Sequence, residues 1–201
     1  MSEIVNGRPS QAIAAMLEQG FAQLREGALE RAVETFTTCL AVTQSAPAFR
    51  GRAWAKFHLK DWAQASLDFD RAKILDPADI ANSLGLAVCL AMENKVYEAI
   101  KVYEEILASR PDHVRAHIQL GLLHYKLCAV NEGRKHLEAA LKARPSLEER
   151  RIIEKTLKEQ KDLDKNRYFR PDFEALHKAD QEGFSQNWLG RAKESLRRIF
   201  K

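Results

Sequence analysis

The chain has 201 residues, enough for one compact domain or one short solenoid. Apolar residues make up 45% and charged residues 30%, an ordinary balance for a folded chain that excludes a disordered or fibrous class. The net charge is +4, with 10 Lys+Arg against 12 Asp+Glu in residues 1–100 (net −2) and 22 against 16 in residues 101–201 (net +6); so mild an excess argues against a dedicated nucleic-acid protein.

Residues 1–9 read as a flexible polar leader broken by Gly7 and Pro9, with Ser10 as the first helix cap. A helix over 11–25 follows, with Ala14, Leu17, Phe21 and Leu24 every three or four residues. Gly27 marks a turn, and a second helix over 29–42 carries Ala32, Phe36, Cys39 and Leu40. Residues 46–79 repeat the plan through Ala53, Trp62, Ala65, Phe69, Ala72 and Pro77. Residues 80–113 repeat it through Leu86, Ala87, Leu90, Tyr97, Ala99, Ile100, Tyr103, Ile106 and Pro111. Residues 114–147 read VRAHIQLGLLHYKLCAVNEGRKHLEAALKARPSL, with small residues at Gly121, Gly133 and Ala140, large apolar ones at Leu120, Leu123, Leu137 and Leu141, and a turn near Cys128–Val130.

Pro77, Pro111 and Pro145 lie 34 apart, each just past a helix end where proline cannot continue the helix. A fixed period of this length is the signature of a solenoid. On these residues the chain resembles the tetratricopeptide repeat (TPR) family, in a form of bacterial type. The resemblance implies an all-α fold: a right-handed superhelical α-solenoid of about four helix-turn-helix repeats (about 13–45, 46–79, 80–113 and 114–147) followed by C-terminal capping helices. Small residues at the eighth, twentieth and twenty-seventh places of each repeat let the paired helices approach; in the first repeat these are Gly20, Ala32 and Cys39. The first repeat departs from the pattern, since Gln44 stands where proline is expected and the step from Gly20 to Ala53 is 33. Arg52 departs from it too, at a place that usually holds leucine.

Ser146 and Glu149 form a capping box that opens a helix over about 147–164, within a capping segment 146–165, with Leu147, Ile152, Ile153 and Leu157 on its apolar side. Residues 166–184 read as a linker containing Pro171 and a short helix over 172–179 using Phe173 and Leu176. Residues 185–201 read as a basic amphipathic helix: Trp188, Leu189, Ala192, Leu196, Ile199 and Phe200 form one stripe. Arg191, Lys193, Arg197, Arg198 and Lys201 surround it, opposed only by Glu194. Such a helix suits three roles: capping the solenoid, filling a groove of its own or a second copy's, or lying on a membrane surface.

Nothing in the sequence spells out catalysis. It contains no Gly-rich phosphate loop, no GxSxG and no HExxH, and no cofactor, catalytic or metal site is expected. His113, His117 and His124 are spaced to share a helix face, but the resemblance puts His117 and His124 at places that carry packing aromatics. The three cysteines, Cys39, Cys89 and Cys128, are odd in number, widely spaced and without a CxxC pair, which favours reduced structural thiols and a cytoplasmic setting. No stretch reaches the about 18–20 apolar residues of a membrane span, and MSEIVNGRPS lacks the pattern of a secretion signal.

The resemblance also implies a binding surface. In TPR solenoids the first helix of each repeat lines a concave wall, at the second, fifth, ninth, twelfth and thirteenth places. Here that wall holds Leu17, Phe21, Leu24 and Arg25; Arg50, Trp54, Phe57 and His58; Leu84, Val88 and Met92; and Arg115, Ile118, Leu122, Tyr125 and Lys126. The Lys/Asn/Arg set that clamps acidic chaperone tails in some members is missing, because Leu17, Phe21 and Gly85 occupy key places. The expectation is a non-catalytic adaptor or scaffold that binds an apolar helix or peptide of a protein partner, with no small-molecule substrate. The alternative is a chaperone-like factor for exported or membrane-associated proteins, similar to the TPR chaperones of bacterial secretion systems and tethered through its C-terminal helix.

Overall fold

The computed structural model describes residues 8–166, and side-chain environments within 11–161. Nine helices run through the described residues: α1 (Arg8–Glu26), α2 (Leu29–Val42), α3 (Ala46–His58), α4 (Trp62–Leu75), α5 (Ile80–Met92), α6 (Val96–Ser109), α7 (Val114–Lys126), α8 (Val130–Lys142) and α9 (Leu147–Asn166). No strand occurs among them. They pair as α1/α2, α3/α4, α5/α6 and α7/α8, each pair packed on the next, and α3 also touches α1 and α5. This is a solenoid of four helix hairpins. Two compact units divide the chain within α9, Met1–Leu157 and Lys158–Lys201, and all four hairpins belong to the first.

The helix pairs share one register. The turn inside each pair puts Gly27, Lys60, Asn94 or Cys128 in the left-handed region, at φ 78°, 65°, 63° and 61°. Around each, the next amide reaches back to close the helix end: Ala28 N to Gln23 O, Asp61 N to Lys56 O, Lys95 N to Leu90 O and Ala129 N to His124 O, all 2.9–3.0 Å. This is the Schellman closure, in which a left-handed residue lets the chain satisfy the last carbonyls and reverse. Only the first turn uses glycine, the residue that adopts such a φ without a Cβ penalty.

Packing repeats in the same way. Phe36, Phe69, Tyr103 and Leu137 occupy equivalent places on α2, α4, α6 and α8, and all four are fully buried. Small residues make room for them. A Cβ on Gly20 or Gly51 would fall 2.7 or 2.3 Å from the Phe36 ring, so that ring is wedged between α1 and α3. Gly85 stands against Phe69 in the same manner, and Gly121 and Gly133 back onto each other's carbonyl oxygens beside Leu137 and Tyr125. Backbone approach this close requires glycine. Asn82, fully buried, donates to Ala72 O (3.3 Å) and Asp76 O (3.2 Å), satisfying carbonyls at the end of α4.

Two expectations need correction, the start of the first helix and the apolar side of α9. Helix α1 begins at Arg8, so Pro9 and Ser10 lie within it and Ser10 is not its cap; proline is at home in a first helical turn. Pro47 likewise sits in the first turn of α3. The capping box before α9 forms, with Ser146 N donating to Glu149 Oε2 (2.9 Å) and Glu149 N donating to Ser146 Oγ (3.3 Å). On α9, however, only Ile153 and Leu157 pack with Leu137, Ala140 and Tyr125. Leu147 is 77% exposed and Ile152 51% exposed, so they belong to its outer face. The stretches 167–184 and 185–201, with the stripe from Trp188 to Phe200, lie outside the described residues.

Candidate functional site

The wall expected from the sequence is carried by α1, α3, α5 and α7. Most of its apolar members are half-buried: Leu17, Phe21 and Leu24 on α1, Trp54 and Phe57 on α3, Leu84 and Val88 on α5, Leu122 and Tyr125 on α7. Each is held from below by the core while keeping part of its surface open. Met92 is exposed beside them. Ile118 is different: at 6% exposure it belongs to the core with Leu137, Ala140 and Ile153 and offers no binding surface.

The aromatic members do more internal packing than their size suggests. Trp54 meets Phe69 edge-on at 5.1 Å and Phe57 edge-on at 5.5 Å, which ties the wall of α3 to the buried ring of α4. Phe21 meets Phe36 edge-on at 5.1 Å. Tyr125 lies over Gly133. These contacts fix ring orientation, and only the outer part of each ring remains for another molecule.

The basic residues scattered along the wall are mostly engaged. Arg50 pairs with Asp79 at the start of α5. Lys126 Nζ donates to Asn94 Oδ1 at 2.8 Å, linking α7 to the turn after α5. Arg115 stands 3.5 Å from Glu149, whose carboxyl is held below the usual range first by the backbone amide of Ser146. Arg25 and His58 are exposed. The wall is therefore largely apolar, with Arg50, Lys126 and Arg115 engaged by neighbouring side chains and Arg25 and His58 open.

Behind the wall lies a seam that sequence periodicity does not expose. In three of the four pairs a residue of the first helix meets a partner twelve places on, across the pair, and in α5/α6 the two equivalent places are apolar. In α1/α2, Thr35 Oγ1 donates to Gln23 Oε1 at 2.8 Å. In α3/α4, Lys56 Nζ lies 2.8 Å from Asp68 Oδ2. In α5/α6, Leu90 and Val102 share one apolar cluster. In α7/α8, the His124 and His136 rings stack, with centroids 5.4 Å apart and planes 3° apart. Arg52 completes the second seam: its Nε and Nη2 donate to the two Asp68 oxygens at 2.8 and 2.7 Å, and its guanidinium lies over Phe49. The residue that departs from the repeat pattern is thus half of a bidentate pair.

The cysteines, Tyr103 and the histidines bear on reactivity. Cys39 and Cys89 are buried, and burial pushes the Cys89 thiol up to about 12. Cys128 is exposed at its turn. Tyr103 is likewise raised by burial, so neither it nor Cys89 supplies a nucleophile near neutral pH. His113 caps α7, its Nδ1 accepting from Ala116 N at 3.2 Å. His117 and His124 pack, as their places imply, but against His136, which spacing on one helix cannot reveal. Among the described residues no group of three or more His, Cys, Asp and Glu side chains is arranged to hold a metal ion, and no described helix is long and apolar enough to cross a membrane.

No protein-family profile matches the chain. Solved structures do match in shape. A crystal structure of MamA superposes with a TM-score of 0.63 over 65% of this chain and 77% of MamA, at 22% identity. The crystal structure of YrrB, a TPR protein with an unusual peptide-binding site, gives 0.64 over 73% of this chain and 76% of YrrB, at 19% identity. The second TPR domain of human RPAP3, in complex with the HSP70 peptide SGPTIEEVD, gives 0.54 over 57% and 97%, at 23% identity. At such identities the likeness is one of fold. The chain folds as a tetratricopeptide-repeat α-solenoid.

Proposed function

We propose that this chain is a non-catalytic protein-interaction adaptor that holds an apolar segment of a partner, an amphipathic helix or an extended peptide, against the wall of α1, α3, α5 and α7. One observation carries this: three recurring places of the first helices hold half-open apolar side chains, Leu17 and Leu84 at one, Phe21, Trp54, Val88 and Leu122 at the next, and Leu24, Phe57 and Tyr125 at the third. Repeated apolar surface kept in water marks a face that becomes covered, and spaced anchors suit a helix or strand laid across them. YrrB and the RPAP3 domain, which share the fold, are both peptide binders, which supports the class. Leu17, Phe21 and Gly85 stand where an acidic-tail clamp needs polar groups, so the partner segment is apolar.

The test selects binding peptides by display against the full chain and compares variants. Phe57→Ser and Leu122→Ser lie on the wall; Leu67→Ser and Ile74→Ser lie on exposed places of α4, on the opposite helix of a pair. The wall variants weaken binding by about 1–3 kcal/mol, roughly fivefold to 150-fold, because buried anchors dominate such affinities. The α4 variants leave it unchanged. Equal loss from both sets would refute the wall as the site. The narrower role, a cytoplasmic chaperone-like factor tethered through residues 185–201, rests on the stripe from Trp188 to Phe200; failure to float with anionic vesicles would dismiss the tether.

A further inference from the structure

Three imidazoles join α7 to α8, and their hydrogen bonds determine where the protons are. His117 Nε2 lies 2.8 Å from the carbonyl oxygen of Pro111. A carbonyl only accepts, so Nε2 carries the hydrogen and, in the neutral ring, Nδ1 is bare. That bare Nδ1 faces His136 Nδ1 at 3.2 Å. His136 must therefore donate from Nδ1, and its own Nε2 is the unprotonated atom. The two ring centroids are 5.5 Å apart, exceeding the nitrogen separation by the radii of the two rings. The nitrogens thus lie on the line between the rings. Lone pairs aimed along one line share a proton; a chelated cation would need them to converge on a third point. His117 thus meets an edge of His136, and a face of His136 stacks on His124.

We propose that the His117–His136–His124 stack is a proton-sensitive clasp on the fourth helix pair, closed when the rings share one bridging proton and loosened when acid adds more. One added proton can settle on His136 Nε2 and leave the bridge intact, but it sets a cation against the stacked His124 ring in a half-buried seam. A proton on His117 Nδ1 sets two N–H groups head to head across the bridge. Burial pushes His136 below the ordinary imidazole range; the facing rings of His117 and His124 on α7 and Lys135 on α8 push the same way, and Glu132 on α8 opposes them. The sign follows: a group lowered on folding stabilises the pair fully above about pH 6.5, the value of a free imidazole, and that stability is lost as the pH falls below this and through the lower folded value. The equivalent seam of α5/α6, Leu90 with Val102, holds no titrating group and serves as the control.

Amide exchange of the full chain at pH 7.5 and 5.5, expressed as protection factors, tests the proposal. Protection in residues 114–142 falls severalfold at pH 5.5 while residues 80–109 change little. The double variant His124→Leu/His136→Val, which copies the α5/α6 seam, abolishes the difference. An equal fall in both pairs, or a fall that survives in the variant, overturns the clasp. Should the variant fail to fold, nitrogen-15 shifts of the wild-type rings at pH 8 decide: the proposal requires His117 as the Nε2–H tautomer and His136 as the Nδ1–H tautomer. A bare Nδ1 on both rings would leave no bridging proton and would also overturn it.

Discussion

The helix pairs α3/α4 and α5/α6 have the same backbone plan and opposite seams. The seam of α5/α6 is Leu90 with Val102, in a continuous apolar cluster. The seam of α3/α4 is Lys56 and Arg52 on Asp68, a carboxylate only 4% exposed. Yet both pairs place a fully buried ring, Phe69 or Tyr103, at the same register and reverse through the same left-handed turn. The comparison separates two kinds of position. Small residues and plugs set how closely helices approach and hardly vary in role. Seam residues need only satisfy each other, and polar, charged, apolar and aromatic solutions all occur.

The largest expected effect breaks the charged seam. Asp68→Ala leaves Arg52 and Lys56 together in a mostly buried place without their counter-charge, and we expect a loss of about 3 kcal/mol by denaturant unfolding. Replacing all three at once, Arg52→Leu/Lys56→Leu/Asp68→Val, converts the seam to the α5/α6 type and should recover most of that loss. If the triple variant is as unstable as Asp68→Ala, the two seams are not interchangeable solutions and the comparison fails.

A smaller effect strikes the joint that the two pairs share. A Cβ at Gly85 on α5 would stand 2.3 Å from the Phe69 ring on α4. Phe69 is fully buried and also meets Trp54, so it has little room to yield. Gly85→Ala should cost about 1–3 kcal/mol through overpacking. Because this joint lies outside both seams, the cost should be the same in the triple variant as in the wild type; additivity within about 0.5 kcal/mol checks it.

The same division explains what is legible in the sequence. The plugs and small residues recur at a fixed period on each helix, so the helix pairs can be read directly; the spacing predicts the second helix over 29–42, where it lies. The capping box at Ser146 and Glu149 is legible because both partners sit three residues apart. Seam partners are not, since Lys56 and Asp68, or His124 and His136, belong to different helices and meet only once the turn between them is built. By pattern alone Arg52 therefore looks like a defect, and His117 and His124 give no hint of His136. The outer face of α9 misleads for a related reason: Leu147 and Ile152 fit an apolar stripe by spacing, but the α7/α8 pair meets only the part of it around Ile153 and Leu157. On the wall, register places the residues of each first helix, but neighbours set their depth; Ile118 sinks into the core and Trp54 leans onto Phe69.

The smallest expected effect compares the two turns. Lys60 and Asn94 hold the same left-handed conformation, at φ 65° and 63°, and neither is glycine. A lysine there bears the full steric penalty between its Cβ and the following carbonyl, roughly 1–2 kcal/mol, whereas asparagine offsets part of it by local hydrogen bonding. Lys60→Gly should therefore stabilise the chain by about 0.5–1 kcal/mol after the entropy that glycine adds to the unfolded state. Asn94→Gly should gain less, and it also removes the Oδ1 atom that accepts from Lys126 Nζ. Thermal melts of the two variants side by side check the order. A larger gain at Asn94 than at Lys60 would mean that the turn's neighbours, rather than its φ, limit the stability of each pair.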